Sequence, residues 1–122
     1  MDSIRDYVNS LPIVSTHEHH LSLADAAKIA TLDGVFERSY TRLCGGDLAQ
    51  REAFLDLVGA NSYFRWHEKA LDSLFHFGGE ITESNWDSIS DQIAAAFPDP
   101  TWHKDVLRSK CRYERAITDT YW

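Results

Sequence analysis

Apolar residues recur at three- and four-residue intervals along most of the chain, and this spacing is typical of amphipathic helices. The clearest stretch predicts a helix that begins at Asn61 or Ser62 and ends at Gly78-Gly79. Shorter stretches of the same kind predict helices over residues 3–11, 22–31, 47–58, 82–97 and 101–112. Asp33-Gly34 is expected to break the chain after the second of these helices. The pattern therefore predicts a chain that is mostly helical.

Two apolar runs lack the helical interval and predict short strands. The first, Ile13–Thr16, follows Pro12, which ends the preceding helix. The second, Arg115–Trp122, has Ala116 and Ile117 at its apolar centre. A strand, a long helical segment and a second strand form a βαβ unit, in which the two strands are parallel.

Two strands alone do not form a stable sheet, because three or more strands or a packed layer are generally needed. We therefore expect residues 1–122 to be a single partial domain of a larger α/β protein. Within it, residues 21–112 form a helical insertion between the two strands. Because the second strand has an open edge that invites pairing with another chain, we also expect a homo-oligomer.

Composition and charge narrow the class of protein. The chain has 122 residues, of which 43% are hydrophobic and 25% charged, as in an ordinary globular domain. Its net charge of −7 disfavours a nucleic-acid partner, because a phosphate backbone requires a basic face. No apolar run approaches the ~18 residues of a membrane span, so no membrane partner is expected. Cys44 and Cys111 match no metal or redox spacing, and we expect them to be reduced thiols of a cytoplasmic protein.

His17 and His19 follow the first strand-like run directly. Since strand side chains alternate between faces, these two imidazoles are expected to point the same way, with Glu18 on the other face and His20 out of phase. Two imidazoles so placed can converge on one divalent metal, with nitrogen–zinc distances of about 2.0–2.1 Å. The alternative interpretation is a pair of surface histidines, because a metal site requires a full ligand set.

A resemblance to a known family supports the first interpretation. The stretch Ile13–His19 resembles the first-strand metal motif of the amidohydrolase superfamily. Ser62–Trp66 and Ile81–Trp86 resemble the helical insertion of members akin to uronate isomerases, and Glu114–Asp119 resembles their second strand. The resemblance covers essentially the whole chain. It implies an α/β fold, the N-terminal portion of a (β/α)8 TIM barrel with metal at its mouth.

This resemblance implies that His17 and His19 are metal ligands and that the metal is zinc or a similar divalent ion. The remaining ligands and the catalytic aspartate of the family lie on later strands, so the catalytic residues are expected beyond residue 122. The implied reaction is the attack of a metal-activated water on an amide or ester carbonyl of a small-molecule substrate. The sequence departs from many members at Ser15 and His20, where they have aspartate and leucine, and this would alter the support of the ligands.

Two alternative functions stay open at this stage. The uronate-isomerase branch implies an aldose–ketose isomerisation of a sugar acid, and the first-strand segment is also similar to phosphotriesterase-like lactonases. The alternative from another class is a non-catalytic helical interaction module that keeps only the first-strand motif. In either enzymatic case we expect the isolated chain to be inactive, because two imidazoles leave most of the metal's coordination to water.

Arg65 and Asp119 are candidate substrate-binding residues. Arg65 lies in the polar-aromatic start of a predicted helix and could bind a substrate carboxylate with two hydrogen bonds. The alternative is a surface arginine that stacks on Trp66 or Tyr63. Asp119 follows the apolar centre of the second strand, where it could face the barrel mouth or begin a turn.

Overall fold

The computed structural model of the chain describes residues 3–118. They are mostly helical, with two short parallel strands, as the sequence predicts. The helices are α1 (Ile4–Ser10), α2 (Leu23–Lys28), α3 (Leu32–Glu37), α4 (Arg51–Val58), α5 (Ser62–Phe75), α6 (Trp86–Ala96) and α7 (Pro100–Asp105). A 3-10 helix covers Tyr40–Cys44, and a π-helical turn over Val106–Lys110 continues α7. The strands are β1 (Ile13–Glu18) and β2 (Tyr113–Thr118).

Local capping sets several helix boundaries. Ser3 and Asp6 form a reciprocal capping box at the start of α1. The Asn61 side chain accepts hydrogen bonds from the first backbone N–H groups of α5, which confirms it as the predicted cap. The helix ends at Phe75, earlier than predicted. His76 follows it as the C-cap and adopts the left-handed conformation at φ 55°. A left-handed residue of this kind terminates many helices, and here it precedes the glycine pair.

Gly34 lies inside a helix rather than at a break. The Thr31 side chain accepts a hydrogen bond from the Gly34 N–H at 3.0 Å, and this contact caps α3. A β-carbon at Gly34 would overlap the carbonyl oxygen of Ile29. The prediction that the glycine ends a helix was therefore wrong, because its role is to permit the close approach of the chain that links α2 to α3.

The hydrophobic core lies among α3, α4, α5 and α6. We call residues 30–97 the helical body. Two polar contacts fix α3 on α6: the Trp86 indole N–H donates to Asp33 at 3.0 Å, and the Leu32 N–H donates to Ser90 Oγ at 3.1 Å. The core members are Ala30, Leu32, Phe36, Phe54, Val58, Phe64, Leu71, Ile81, Trp86, Ile89 and Ile93.

The two strands form an irregular parallel pair outside this core. Pairing joins Ile13 to Tyr113, Val14 to Arg115, Ser15 to Ala116 and Glu18 to Thr118. β1 therefore contains one extra residue between Ser15 and Glu18, which is a β-bulge. We call α1, β1 and β2 the strand layer. No residue of this layer is buried within the described chain, and Val14 and Ile117 keep 53% and 60% of their surface exposed.

Two other sequence predictions concern the environment of the protein. Both Cys44 and Cys111 are free thiols, as expected from their spacing. Across residues 3–118, no helix combines the length and the apolar character that are needed to cross a lipid bilayer.

Candidate functional site

The end of β1 brings His17 and His19 into direct contact. Their Nε2 atoms lie 2.8 Å apart, and their ring centroids are separated by 4.5 Å with an interplanar angle of 88°. His17 lies within the strand and His19 immediately follows it. The prediction that alternation projects these two side chains together is confirmed by this contact.

The geometry of this histidine pair fits two ligands of one metal ion. At a separation of 2.8 Å, one Nε2 donates a hydrogen bond and the other accepts it, so two neutral rings adopt opposite tautomers. Two nitrogens bound to tetrahedral zinc at about 2.0–2.1 Å would lie roughly 3.4 Å apart. To hold a metal, the two Nε2 atoms would have to move apart slightly, and the shared proton would have to leave Nε2 so that each neutral ring is protonated on Nδ1. Among residues 3–118, no group of three or more His, Cys, Asp or Glu side chains could hold a metal by itself.

Glu18 joins the two strands beside the histidine pair. Its Oε1 accepts hydrogen bonds from Ser15 Oγ at 2.5 Å and from the Tyr113 hydroxyl at 2.8 Å. Strict alternation would place Ser15 and Glu18 on opposite faces, but the bulge between them brings the two side chains into contact. The contact with Tyr113 spans 95 positions of sequence and fixes β2 against the end of β1.

The environment of Glu18 favours its charged form. Partial burial by itself raises the pKa of Glu18, but the hydrogen bonds from Ser15 and Tyr113, with the positive charge that His20 and His17 can carry, outweigh it. The pKa therefore lies below its ordinary value. The same hydrogen bond, together with burial, raises the pKa of Tyr113. Glu18 is thus held as a carboxylate by the protein itself.

A cleft of about 240 Å³ opens beside His19. His103 contributes to its wall and donates a hydrogen bond from Nε2 to the carbonyl oxygen of Phe97 at 2.7 Å. Trp102 packs edge-on against the His103 ring, with centroids 5.0 Å apart. The cleft is lined by His19, His20, Leu21, Ala26, Ile29, Phe97, His103, Val106 and Leu107. Apolar side chains and imidazoles thus form its wall.

Sequence reasoning did not place His20 or His103 at a site. His103 lies near the start of the helix predicted over residues 101–112, and nothing in its local pattern indicates that it shares a cleft with residues more than 80 positions away. One signal was present: α7 directly precedes β2, and the start of a helix in a βαβ unit lies near the carboxyl end of the preceding strand.

Arg65 makes its contacts within the helical body. Its Nη1 lies 2.7 Å from Glu68 Oε2, and its Nε donates to the carbonyl oxygen of Gly59 at 2.6 Å. Glu68 is buried and also accepts the backbone N–H of Ile81 at 2.8 Å. The hydrogen bond and charge of Glu68 raise the pKa of Arg65. These contacts tie the end of α4 and the first half of α5 to the segment before α6. None of them involves the histidine pair.

The sequence suggests that Arg65 stacks on Trp66 or Tyr63, but the structure places it over a different ring. Its guanidinium lies 5.8 Å from the centroid of Phe64, the residue that precedes it, and the cation near Trp66 is Lys69, at 5.1 Å. Asp119, the second candidate substrate ligand, lies outside the described residues.

Comparison with known proteins found no matching family model, no similar curated protein and no similar solved structure. The interpretation of the site therefore rests on its own geometry and chemistry.

Proposed function

We propose that this chain contributes the first two strands of a (β/α)8 barrel of the amidohydrolase type. In this proposal, His17 and His19 bind a divalent metal, with zinc preferred, for the hydrolysis of an amide or ester in a small-molecule substrate. The observation that carries the proposal is the 2.8 Å contact between the two Nε2 atoms at the carboxyl end of β1. In barrel enzymes, catalytic groups lie at the carboxyl ends of the parallel strands.

The uncovered strand pair gives independent support. Parallel sheets are generally covered on both faces, and two strands alone are marginal in water. Here β1 and β2 are parallel, while Val14 and Ile117 remain exposed. A closed barrel with its surrounding helices would cover these side chains, and its later strands are where the family carries its remaining metal ligands.

The residues of this chain would hold and orient the metal. A bound divalent ion would supply a more acidic water and would polarise the carbonyl under attack. His17 and His19 would bind through Nε2, which requires each neutral ring to keep its proton on Nδ1. Glu18, held by Ser15 and Tyr113, would fix the end of β1 so that both rings keep their positions. The sugar-acid isomerase alternative would use the same histidine pair.

A second candidate function, from a different class, is a helical interaction module. Its support is a group of exposed apolar side chains on the helical body, where the rings of Tyr40 and Tyr63 are in tilted contact with centroids 5.2 Å apart. Leu43 and Trp66 are also largely exposed on the same body. Contiguous exposed apolar surface is common at protein interfaces, and Tyr40 and Tyr63 are the members of this group that are in contact.

Metal titration of the chain tests the leading proposal. Zinc is expected to shift the imidazole nitrogen resonances of His17 and His19, and either His17→Ala or His19→Ala should weaken zinc binding at least about tenfold. His20→Ala is the matched control, because it removes a neighbouring exposed imidazole and leaves the facing pair intact. Zinc affinity that is unchanged in the double variant lacking both His17 and His19 would contradict the proposal.

Catalysis is tested separately on the intact polypeptide that contains this chain. We expect hydrolysis of simple esters or amides that is lost when a chelator removes the metal and is restored by added zinc. Turnover of a sugar acid without hydrolysis would favour the isomerase alternative. A metal-free protein that self-associates through its exposed aromatic residues would favour the interaction module.

A further inference from the structure

We infer that the cleft beside His19 binds an uncharged, apolar part of the substrate. The substrate would then be an ester or amide with a small alkyl or aryl group, rather than a sugar acid. This inference rests on the proposed function, since it requires the reacting carbonyl to lie at His17 and His19. It adds the chemical class of the group attached to that carbonyl.

The walls of the cleft carry the argument. Leu21 and Ile29 line it from the segment that follows β1, while Phe97, Val106 and Leu107 line it from the segments that flank α7. Within the described chain, none of its lining residues is Lys, Arg, Asp or Glu. A substrate carboxylate placed here would meet no Lys or Arg side chain, and apart from the imidazoles both a carboxylate and sugar hydroxyls would meet apolar side chains. An alkyl or aryl group would gain free energy by burial at the same place.

The polar groups of the cleft are imidazoles, and one of them is already engaged. His103 donates its Nε2 proton to the carbonyl oxygen of Phe97 at 2.7 Å, so this proton is not offered to a ligand. His19 belongs both to the cleft and to the histidine pair. An apolar group in the cleft would therefore adjoin a carbonyl held at the pair.

The guanidinium proposed to bind a substrate carboxylate is engaged elsewhere. Arg65 is held by Glu68 at 2.7 Å and by the Gly59 carbonyl at 2.6 Å, within the helical body. It is not among the residues that line the cleft. The chemistry of this region thus favours a neutral substituent.

The size of the cleft limits the substituent. Its volume of about 240 Å³ is smaller than that of typical sites for drug-sized ligands, which are roughly 300–1,000 Å³. A phenyl ring or a short branched alkyl chain would fit within a cleft of this size, since an apolar cavity of roughly 150 Å³ accommodates benzene, whereas an extended chain would emerge into solvent.

Ligand titration of the metal-free chain tests this inference. The probes are benzamide and D-glucuronate, and the readout is the set of methyl resonances of Leu21, Ile29, Val106 and Leu107. Benzamide is expected to shift these resonances saturably, while glucuronate at the same concentration leaves them unchanged. Leu107→Glu should weaken benzamide binding at least about fivefold, because it places a charge in the apolar wall.

Leu43→Glu is the matched control, because Leu43 is 81% exposed and lies outside the cleft. The direct titration of the unsubstituted chain decides the question even if Leu107→Glu fails to fold. Shifts of the cleft methyl groups by glucuronate, or none by benzamide, would overturn the inference. Because no metal is present in this experiment, its result is independent of the zinc titration that tests the proposed function.

Discussion

The helical body and the strand layer differ in how they treat apolar side chains. In the helical body, Trp86, Phe36 and Ile93 are completely buried. In the strand layer, Ile4 and Ile117 keep 85% and 60% of their surface exposed. Since burial of apolar surface supplies most of the stability of a fold, the helical body is expected to provide the stability of this chain.

The two regions also differ in the polar groups they offer. The helical body uses its polar side chains internally, as when Glu68 accepts hydrogen bonds from Arg65 and from the backbone of Ile81. The strand layer and the loop after it present His17 and His19 at the surface. Candidate chemistry therefore lies where the chain is least buried, and a stable scaffold lies beside it.

Truncation of core and layer residues should show the largest difference between the regions. Trp86→Ala is expected to lower the free energy of unfolding by about 3–5 kcal/mol, because it leaves a cavity in the core. Ile117→Ala should change it by less than about 0.5 kcal/mol, since the side chain is largely exposed. Urea unfolding followed by far-UV circular dichroism measures both. Similar losses for the two variants would show that the strand layer is packed as tightly as the body.

The buried carboxylate of the helical body should give an intermediate effect. Glu68→Gln keeps the shape of the side chain but weakens its hydrogen bonds to Arg65 and Ile81, so a loss of about 1–2 kcal/mol in the free energy of unfolding is expected. Glu80→Gln is the matched control, because Glu80 is exposed and lies 3.9 Å from Arg65. Its effect should be below about 0.5 kcal/mol. Equal effects in urea unfolding would argue against a structural role for the buried pair.

A partly buried histidine should make the stability of the helical body depend on pH. His67 packs against Phe36 and lies with Nδ1 3.3 Å from the buried Thr41 hydroxyl. Burial lowers the pKa of His67, and a hydrogen bond with the backbone of Tyr63 opposes this only in part. An unfolded histidine has a pKa of about 6.5, so below that pH the unfolded chain binds a proton that the folded chain does not.

The free energy of unfolding is therefore expected to fall as pH drops through about 6.5, until the lower folded-state pKa is reached. Urea unfolding between about pH 7.5 and 5 should show a smaller fall for His67→Gln than for the unsubstituted chain. His76→Asn is the control, because His76 is exposed and asparagine tolerates its left-handed backbone. A pH dependence that His67→Gln leaves unchanged would contradict this assignment.

Local features of the sequence predicted much of the fold. The helical spacing of apolar residues located α5, and Asn61 marked its beginning. Period-two alternation predicted that His17 and His19 would lie together, and their Nε2 atoms are in contact. Each of these features depends on residues within a few positions of one another, so the sequence alone was sufficient to predict them.

Contacts that depend on a departure from regular backbone, or on a distant segment, were not predictable in the same way. Gly34 has a turn-like local sequence, yet it lies inside α3. Its lack of a β-carbon allows the carbonyl oxygen of Ile29 to approach the helix closely. Glu18 was expected on the face opposite to the histidines, but a bulge lets it meet Ser15, and a second strand brings Tyr113 to it. Local patterns carry no information about such partners, because the partners are chosen by packing.

Backbone periodicity over a few residues is enough to specify the helical character, the two short strands and the facing histidines, so the amino-acid order alone predicts them. Packing between distant parts of the chain, by contrast, brings Tyr113 to Glu18 and places His103 in the wall of a cleft with His19. Those contacts join segments that are not neighbours in the chain. They exist because burial of the helical core fixes the positions of the side chains around it.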